Sequence, residues 1–122
     1  MLPLCLCTRG TLTKEMIAVH NGLPFEEISS KELNDRLERG ESLHIVDVRE
    51  PHEWFQGHIP SARHIPLGQL PHRMDELDPQ EEWFVICHSG GRSALACEWL
   101  EEQGFRAVNV MGGMMFWEGE IE

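Results

Sequence analysis

The chain has 122 residues, of which 41% are hydrophobic, and this is enough to bury the core of one domain without disulfides. Its formal net charge of −11 would repel phosphate backbones and anionic lipid, so nucleic acid and membrane surfaces are excluded as expected partners. We therefore expect a monomeric single domain that acts on a small solute or on another protein.

The beginning of the chain lacks the patterns of regular structure. Residues 1–23 show no sustained hydrophobic period, and Asn21-Gly22-Leu23-Pro24 has the composition of a turn. The first residues contain no basic segment and no apolar run long enough for a signal peptide, so we expect no export signal. We predict a flexible tail over residues 1–23 and a domain over residues 24–122.

The first half of the domain alternates strand signals with helix signals. Ser29-x-x-Glu32 has the spacing of a capping box and predicts a helix that ends near Gly40. Pro51 stands where the first turn of a second, shorter helix favours proline. The predicted elements in this half are strand 25–28, helix 29–40, strand 43–48, helix 50–55 and strand 62–65.

The second half contains the most hydrophobic strand candidate, residues 83–87, followed by a glycine-containing loop and a helix over residues 93–103. That helix presents an apolar stripe of Ala94, Cys97 and Leu100, with Leu95 and Trp99 beside it. Strands that alternate with helices predict an α/β domain with a mostly parallel sheet and helices on both faces. The remaining predicted elements are weak helices over 67–77 and 114–117 and a strand over 107–110.

The cysteines indicate a reducing compartment. None of the four forms a C-x-x-C pair, and a domain of this size needs no disulfide framework, so we expect a cytoplasmic protein. One residue between Cys5 and Cys7 is a poor spacing for a metal, and we interpret both as ordinary tail residues. The sequence predicts neither a metal nor another cofactor. The remaining two cysteines are Cys87 and Cys97.

The segment Cys87-His88-Ser89-Gly90-Gly91-Arg92-Ser93 joins the buried strand to the N-terminus of the next helix. Free backbone N–H groups and the positive end of the helix dipole converge there, which favours an anion. Such a position can lower the pKa of a cysteine from about 8.5 to roughly 3.5–7.5. We expect this anion to be the Cys87 thiolate, which is a nucleophile.

The rest of the loop also suits an anionic ligand. Gly90 and Gly91 let the backbone turn with positive φ and approach the ligand closely. Arg92 offers a fork of donors to an oxyanion, and Ser93 can cap the helix or contribute its hydroxyl. The expected reaction is attack on the outer sulfur of an anionic donor such as thiosulfate, which leaves a Cys87 persulfide. Cyanide, a thiol or a protein acceptor then removes that sulfur.

Several segments, ordered along the chain from about Phe25 to Glu120, resemble the rhodanese family. They are Asp47-Val48-Arg49, Gly57-His58-Ile59-Pro60-Ser61-Ala62, Ile65-Pro66-Leu67, the loop 87–93, and Gly112-Gly113 with Trp117. The resemblance implies a five-stranded parallel sheet with flanking helices, the persulfide cysteine at Cys87 and a substrate cradle at residues 88–92. It also implies mainly structural roles for Asp47 and Arg49.

Individual residues allow plainer interpretations. Arg92 could pair with Glu101 or another surface acid, although a cation at a helix N-terminus opposes the dipole. His88 could tune the ionisation of the thiolate, orient an acceptor or only form hydrogen bonds. Thiosulfate-using members of the family often carry a cationic residue directly after the cysteine, where this chain has His88. Cys97 could resolve a persulfide as a disulfide partner, but its place on the apolar stripe favours core packing.

Two further groups of residues have the composition of a possible site. His52, His58 and His64 recur at a six-residue spacing, but they fall on different local elements, and we expect no metal site. Residues 111–117 are rich in methionine and aromatic side chains and could dock a partner. Packing of a short helix against the sheet is the expectation for that segment.

Two other functions compete with sulfur transfer. Cysteine-dependent phosphatases and arsenate reductases also place a thiolate and an arginine around an oxyanion, but their loop is one residue longer. Cys87 and Arg92 have four residues between them, and the smaller ring suits a single sulfur atom. A rhodanese-like domain that only binds partners is the second alternative, although such domains usually lack the cysteine.

Overall fold

The computed structural model describes residues 22–122 and contains a five-stranded sheet in the order β1-β5-β4-β2-β3, with every neighbouring pair parallel. The predicted α/β fold with a parallel sheet is confirmed. The strands are β1 Glu26–Ser29, β2 His44–Asp47, β3 Arg63–His64, β4 Glu82–Ile86 and β5 Arg106–Met111. The helices are α1 Ser30–Glu38, α2 Pro51–Trp54 and α3 Gly91–Glu102, with 3₁₀ helices at Leu67–His72, Met74–Glu76 and Gly113–Phe116.

The proposed tail over residues 1–23 lies almost entirely outside the described residues, which also excludes Cys5 and Cys7. The division into a tail and a domain that starts at residue 24 stays a prediction. Among residues 22–122, no helix has the length and apolar character needed to cross a bilayer.

Helices cover both faces of the sheet, as predicted. Side chains alternate between the faces along a strand, so Phe84 and Val85 of β4 enter different cores. Val85 packs in one core with Cys97 and Leu100 of α3, and Phe84 packs in the other with Leu33 of α1. Because both faces of β4 are covered, the carboxyl end of this strand is held firmly in place.

The helix starts follow from local sequence. Ser29 caps α1, and its side chain accepts a hydrogen bond of 3.0 Å from the backbone N–H of Glu32. Glu50 and Glu53 form a reciprocal capping box around α2, which carries Pro51 in its first turn. The capping box at Ser29 predicts the first start, whereas the second box is formed by residues that we did not single out.

Some predicted boundaries are wrong. Helix α3 begins at Gly91 rather than at residue 93, and it turns Leu95 outward with 60% of its surface exposed. The buried residues of α3 are Ser93, Ala96, Cys97 and Leu100. Cys97 and Leu100 lie on the predicted stripe, and Ala94 packs partly buried against the same core. The weak helix over 67–77 is two 3₁₀ segments, because a proline inside the first cannot donate a backbone hydrogen bond. The strand over 62–65 contracts to β3.

Two of the regularly spaced histidines belong to an aromatic stack. Trp54 lies between His58 and His64, with ring centroids 3.5 and 4.6 Å away and nearly parallel planes. His64 Nε2 also lies 2.8 Å from the backbone oxygen of Arg49, which ties the stack to the end of β2. In the part of the chain from residue 22 onward, no three histidine, cysteine or carboxylate side chains are arranged to hold a metal ion.

Candidate active site

The Cys87 loop lies at the carboxyl edge of the sheet, directly after β4, which pairs with β2 and β5. Loops from neighbouring parallel strands meet at this edge, and ligands commonly bind there. Gly90 has φ of +113°, a left-handed conformation that lets the chain turn directly into α3. Gly91, for which we predicted the same role, lacks positive φ and forms the first residue of the helix.

Cys87 is buried, with 1% of its surface exposed, and its sulfur is the focus of the loop. Backbone N–H groups of Gly90 and Ser93 donate to Sγ over 3.1 and 3.3 Å. The Ser93 hydroxyl oxygen lies 3.3 Å from the same sulfur. The predicted convergence of donors on Cys87 is therefore present in the structure.

These contacts decide how readily Cys87 ionises. Burial raises the pKa of the thiol, because it disfavours the charged form. Hydrogen bonds that the thiolate accepts from the Ser93 hydroxyl and N–H lower it, and the N–H groups of Gly90 and Ser89 add to this effect. The donors outweigh burial, so the pKa of Cys87 lies below its ordinary value. A buried thiol that nonetheless favours ionisation is suited to act as a nucleophile.

Cys97 has the opposite environment, although it lies on the same helix as the loop. It is fully buried, and this burial raises its pKa well above the ordinary value. The nearby carboxylates of Glu101 and Glu27 raise it further. The predicted role of Cys97 as a packed core thiol agrees with this position, and Cys87 and Cys97 are both free thiols.

The guanidinium of Arg92 is held in an ion pair with Glu53. Nη1 and Nη2 donate to the two carboxylate oxygens of Glu53 over 2.7 and 2.9 Å. This bond to Arg92 is the main reason that the pKa of Glu53 is lowered to about 2. The carboxylate thus compensates the guanidinium charge from α2, while Arg92 retains donors that could reach an anion. The alternative interpretation of Arg92 was a pair with Glu101 or another surface acid, and Glu53 is the acid that pairs with it in the structure.

His88 and Ser89 complete the loop on its solvent side, and both are exposed. The Ser89 N–H contributes to the hydrogen bonding of Cys87, whereas the His88 backbone has a supporting partner across the loop. Met115 N–H donates to the His88 oxygen over 2.9 Å, and Met114 N–H donates to the Cys87 oxygen over 2.8 Å. These bonds tie the carbonyl groups of both loop residues to the 3₁₀ helix Gly113–Phe116.

Gly113 brings those donors close enough to reach the loop. A Cβ at this position would lie 2.6 Å from the backbone oxygen of His88 and closer still to that of Cys87. Both atoms are backbone, so only a displacement of the loop or of the 3₁₀ helix could make room. The Gly112-Gly113 pair was recognised in the sequence, but its contact with the cysteine loop was not predicted.

A second set of polar side chains lies beneath the loop. The Ser93 hydroxyl donates to Asn109 Oδ1 over 2.5 Å, and Asn109 Nδ2 donates to Glu27 Oε2 over 3.1 Å. Asn109 belongs to β5 and is 2% exposed. Neither Asn109 nor Glu27 was among the predicted site residues. An amide in an otherwise apolar strand is the signal that could have identified Asn109.

Asp47 and Arg49 form a buried ion pair at the end of β2. Arg49 Nη2 and Nε donate to Asp47 Oδ2 over 2.9 and 3.1 Å, and Nη2 also donates to the Gly57 oxygen over 2.8 Å. The pair therefore ties the end of β2 to the turn after α2, the helix that carries Glu53. This geometry supports the structural roles expected for both residues, with no contact to Cys87 required.

The segment over residues 111–117 both packs and faces solvent. Gly113 and Trp117 are buried, as a helix that covers the sheet requires. Met111, Met115 and Phe116 instead expose 44, 57 and 64% of their surface. The backbone of Met115 bonds to that of His88, so this segment adjoins the cysteine loop.

Comparison with known proteins agrees with this arrangement. The chain is 48% identical over 100 residues to "Putative sulfurtransferase YtwF" of Bacillus subtilis, a match that covers 82% of this chain and 97% of the relative. It is 32% identical to "Thiosulfate sulfurtransferase GlpE" of Pseudoalteromonas translucida, over 79% of this chain and 91% of that protein. The crystal structure of a rhodanese-like domain protein from Staphylococcus aureus is also similar, with 37% identity and a TM-score of 0.76. That likeness covers 80% of this chain and 97% of the other.

The family assignment rests on nearly the whole of the described domain. Residues 29–120 match the rhodanese-like domain family, a range that extends from the start of α1 to beyond the last 3₁₀ helix. The match therefore includes β2, β4 and β5 as well as the cysteine loop itself. The chain belongs to the rhodanese-like domain family.

Proposed function

We propose that this protein is a sulfurtransferase that carries sulfur as a persulfide on Cys87. The observation that carries the proposal is the hydrogen bonding of Cys87 Sγ, on which backbone donors of Gly90 and Ser93 converge within a buried site. Such donors stabilise negative charge on sulfur both before and after the transfer. The sulfurtransferase relatives at 48 and 32% identity support the same class of reaction.

The reaction needs no oxidant or cofactor. The Cys87 thiolate attacks the outer sulfur of a donor such as thiosulfate, forming an S–S bond while the S–S bond of the donor breaks. Sulfite leaves with the electron pair of the broken bond. The new terminal sulfur carries negative charge, which we expect the loop N–H groups to stabilise.

The second half of the cycle returns the enzyme to its starting state. Cyanide, a thiolate or the thiol of a protein acceptor attacks the terminal sulfur, and the Cys87 thiolate leaves. With cyanide the product is thiocyanate.

The expected setting is a reducing one. Cys87 and Cys97 are free thiols, and a persulfide cycle depends on a cysteine that is not trapped in a disulfide. We propose that the protein works as a monomer in the cytoplasm. We propose a thiosulfate-like donor because the loop N–H groups are directed at an anion. The charge of Arg92 does not carry this argument, since Glu53 compensates it.

Turnover with several donors tests the proposal. Wild-type protein is mixed with cyanide and, in separate reactions, with thiosulfate, mercaptopyruvate or a cysteine desulfurase with its substrate, and thiocyanate is measured. Cys87→Ser should abolish turnover, whereas the matched control Cys97→Ser should retain it. If no donor supports turnover in wild type, the domain is better described as a partner-binding module.

A further inference from the structure

The hydroxyl of Ser93 has one proton and two possible acceptors. Asn109 Oδ1 lies 2.5 Å from Ser93 Oγ, and Cys87 Sγ lies 3.3 Å from it on the other side. All three side chains are buried, with at most 2% of the residue exposed. Solvent therefore cannot replace either hydrogen bond, and the direction of the hydroxyl has consequences for both neighbours.

The orientation of Asn109 is fixed by groups that only accept. Its Nδ2 lies 3.1 Å from the carboxylate oxygen of Glu27 and 3.4 Å from the backbone oxygen of Gly90. An ionised carboxylate and a carbonyl have no proton to give, so the NH₂ group must face them. Oδ1 then faces Ser93 as an acceptor, and Ser93 must donate its proton to it.

In this state Ser93 can only accept from Cys87. The thiol form fits, because its S–H can donate to Ser93 Oγ while the hydroxyl donates to Asn109. Ionisation sends the thiol proton to solvent, and the hydroxyl must then rotate toward the thiolate to stabilise it. That rotation leaves Asn109 Oδ1 buried without its donor, which costs free energy.

We propose that Asn109, held by Glu27, is a positioning residue that competes with Cys87 for the Ser93 proton and thereby restrains ionisation of the nucleophile. The proposal deepens the proposed function, because the thiolate is the species that attacks the sulfur donor. A thiolate that is stabilised less is intrinsically more nucleophilic, and the best attacking thiol ionises near the ambient pH. Asn109 would therefore preserve reactivity that the converging donors alone would diminish.

Replacing Asn109 by leucine neither adds nor removes a charge near the sulfur. Arg92 of α3 interacts electrostatically with Cys87, and Glu27 of β1 acts through Asn109. From β2, Asp47 and Arg49 present a mutually paired charge at the same edge of the sheet. A change at Asn109 that shifts the ionisation of Cys87 must therefore act through hydrogen bonds. One route is the Ser93 hydroxyl, and the other is Gly90, whose oxygen accepts from Asn109 Nδ2 and whose N–H donates to the sulfur. Removing the Ser93 hydroxyl separates the two routes.

The test is the pH dependence of iodoacetamide alkylation, followed by mass spectrometry on the peptide that contains Cys87. Asn109→Leu removes the competing acceptor, so the midpoint should fall by about 0.5 to 1 pH unit. Ser93→Ala removes the donor, so the midpoint should rise. The double variant should behave as Ser93→Ala alone, because Asn109 acts through the Ser93 hydroxyl.

Three outcomes would overturn the proposal: no shift in Asn109→Leu, a shift to higher pH, or the same downward shift with and without Ser93. Glu27→Gln is a milder variant for use if Asn109→Leu does not fold. The amide of glutamine binds Asn109 Nδ2 less strongly than the carboxylate of Glu27 does, so the midpoint of alkylation should fall to lower pH. The fall should be smaller when the same change is made in Ser93→Ala. Alkylation needs no sulfur donor, so this result is independent of whether the protein proves to be a sulfurtransferase.

Discussion

Replacing Glu53 by glutamine removes a charge while keeping the local structure of α2. Glutamine can still take part in the capping box with Glu50, since either side chain serves at that position. It can also accept a hydrogen bond from Arg92, but it no longer forms the bidentate ion pair with contacts of 2.7 and 2.9 Å. The substitution therefore isolates the ionic part of the interaction.

The structure sets the size of the effect. Lowering the pKa of Glu53 from 4.5 to about 2 corresponds to at most roughly 3 kcal/mol of stabilisation at neutral pH. The side chains of Glu53 and Arg92 are 20 and 35% exposed, so solvent screening reduces this contribution. We expect Glu53→Gln to lower the free energy of unfolding by about 1 to 2 kcal/mol at pH 7.

The pH dependence has a definite sign. Since the pKa is lower in the folded protein, the stabilisation is complete above the ordinary value of 4.5 and is lost as the pH falls toward about 2. Urea unfolding of wild type and variant, followed by tryptophan fluorescence, should show a difference that is constant near neutrality. The difference should shrink below about pH 4.5.

A difference that persists unchanged at pH 3, or none at pH 7, would refute this reasoning. The same variant has a second readout in the reaction. It leaves the charge of Arg92 uncompensated, so KM for thiosulfate should fall, while a protein-borne sulfur donor without that anionic charge should be affected less. An unchanged KM would show that Arg92 does not contribute to binding of the donor.

Asp47→Ala leaves a buried guanidinium without its partner and should destabilise the fold by about 3 to 5 kcal/mol in urea unfolding; a loss below 1 kcal/mol would contradict the buried pair. Gly113→Ala should displace the loop and reduce the rate of sulfur transfer at least about tenfold. The control Gly68→Ala should not reduce it, because a Cβ at Gly68 has open space and the residue has no positive φ. Equal activities of the two variants would refute the close approach of Gly113 to the Cys87 loop. Cys97 should remain unmodified under conditions in which Cys87 reacts fully with iodoacetamide, because burial raises its pKa, and peptide mass spectrometry distinguishes the two.

The fold could be predicted because its signals are local. The apolar runs in β2 and β4 are buried on both faces, and glycine and proline separate them from the helices. Ser29 marks the start of α1 by its own side chain. The exposure of Leu95 could not be predicted in this way. The apolar period shows which residues of α3 share a face, but it does not give the angle at which α3 leaves the loop, and this angle decides which face is buried.

The site was predictable only where its residues are consecutive. The loop 87–93 concentrates its chemistry in one segment, so the nucleophile and its donors could be inferred together. The ion pair of Arg92 and Glu53 joins residues 39 apart in the sequence, and Asn109 and Glu27 are 82 apart. The pairing of β1 with β5 and of β2 with β4 brings these residues together, and no local pattern specifies that order.

The persulfide on Cys87 is the central claim, and intact-mass measurement tests it most directly. Wild type, Cys87→Ser and Cys97→Ser are incubated with thiosulfate, and each mass is recorded before and after reduction. We predict a reducible gain of one sulfur atom in wild type and Cys97→Ser and none in Cys87→Ser, with fragmentation placing the sulfur at Cys87. Sulfur carried equally by Cys87→Ser would contradict the account.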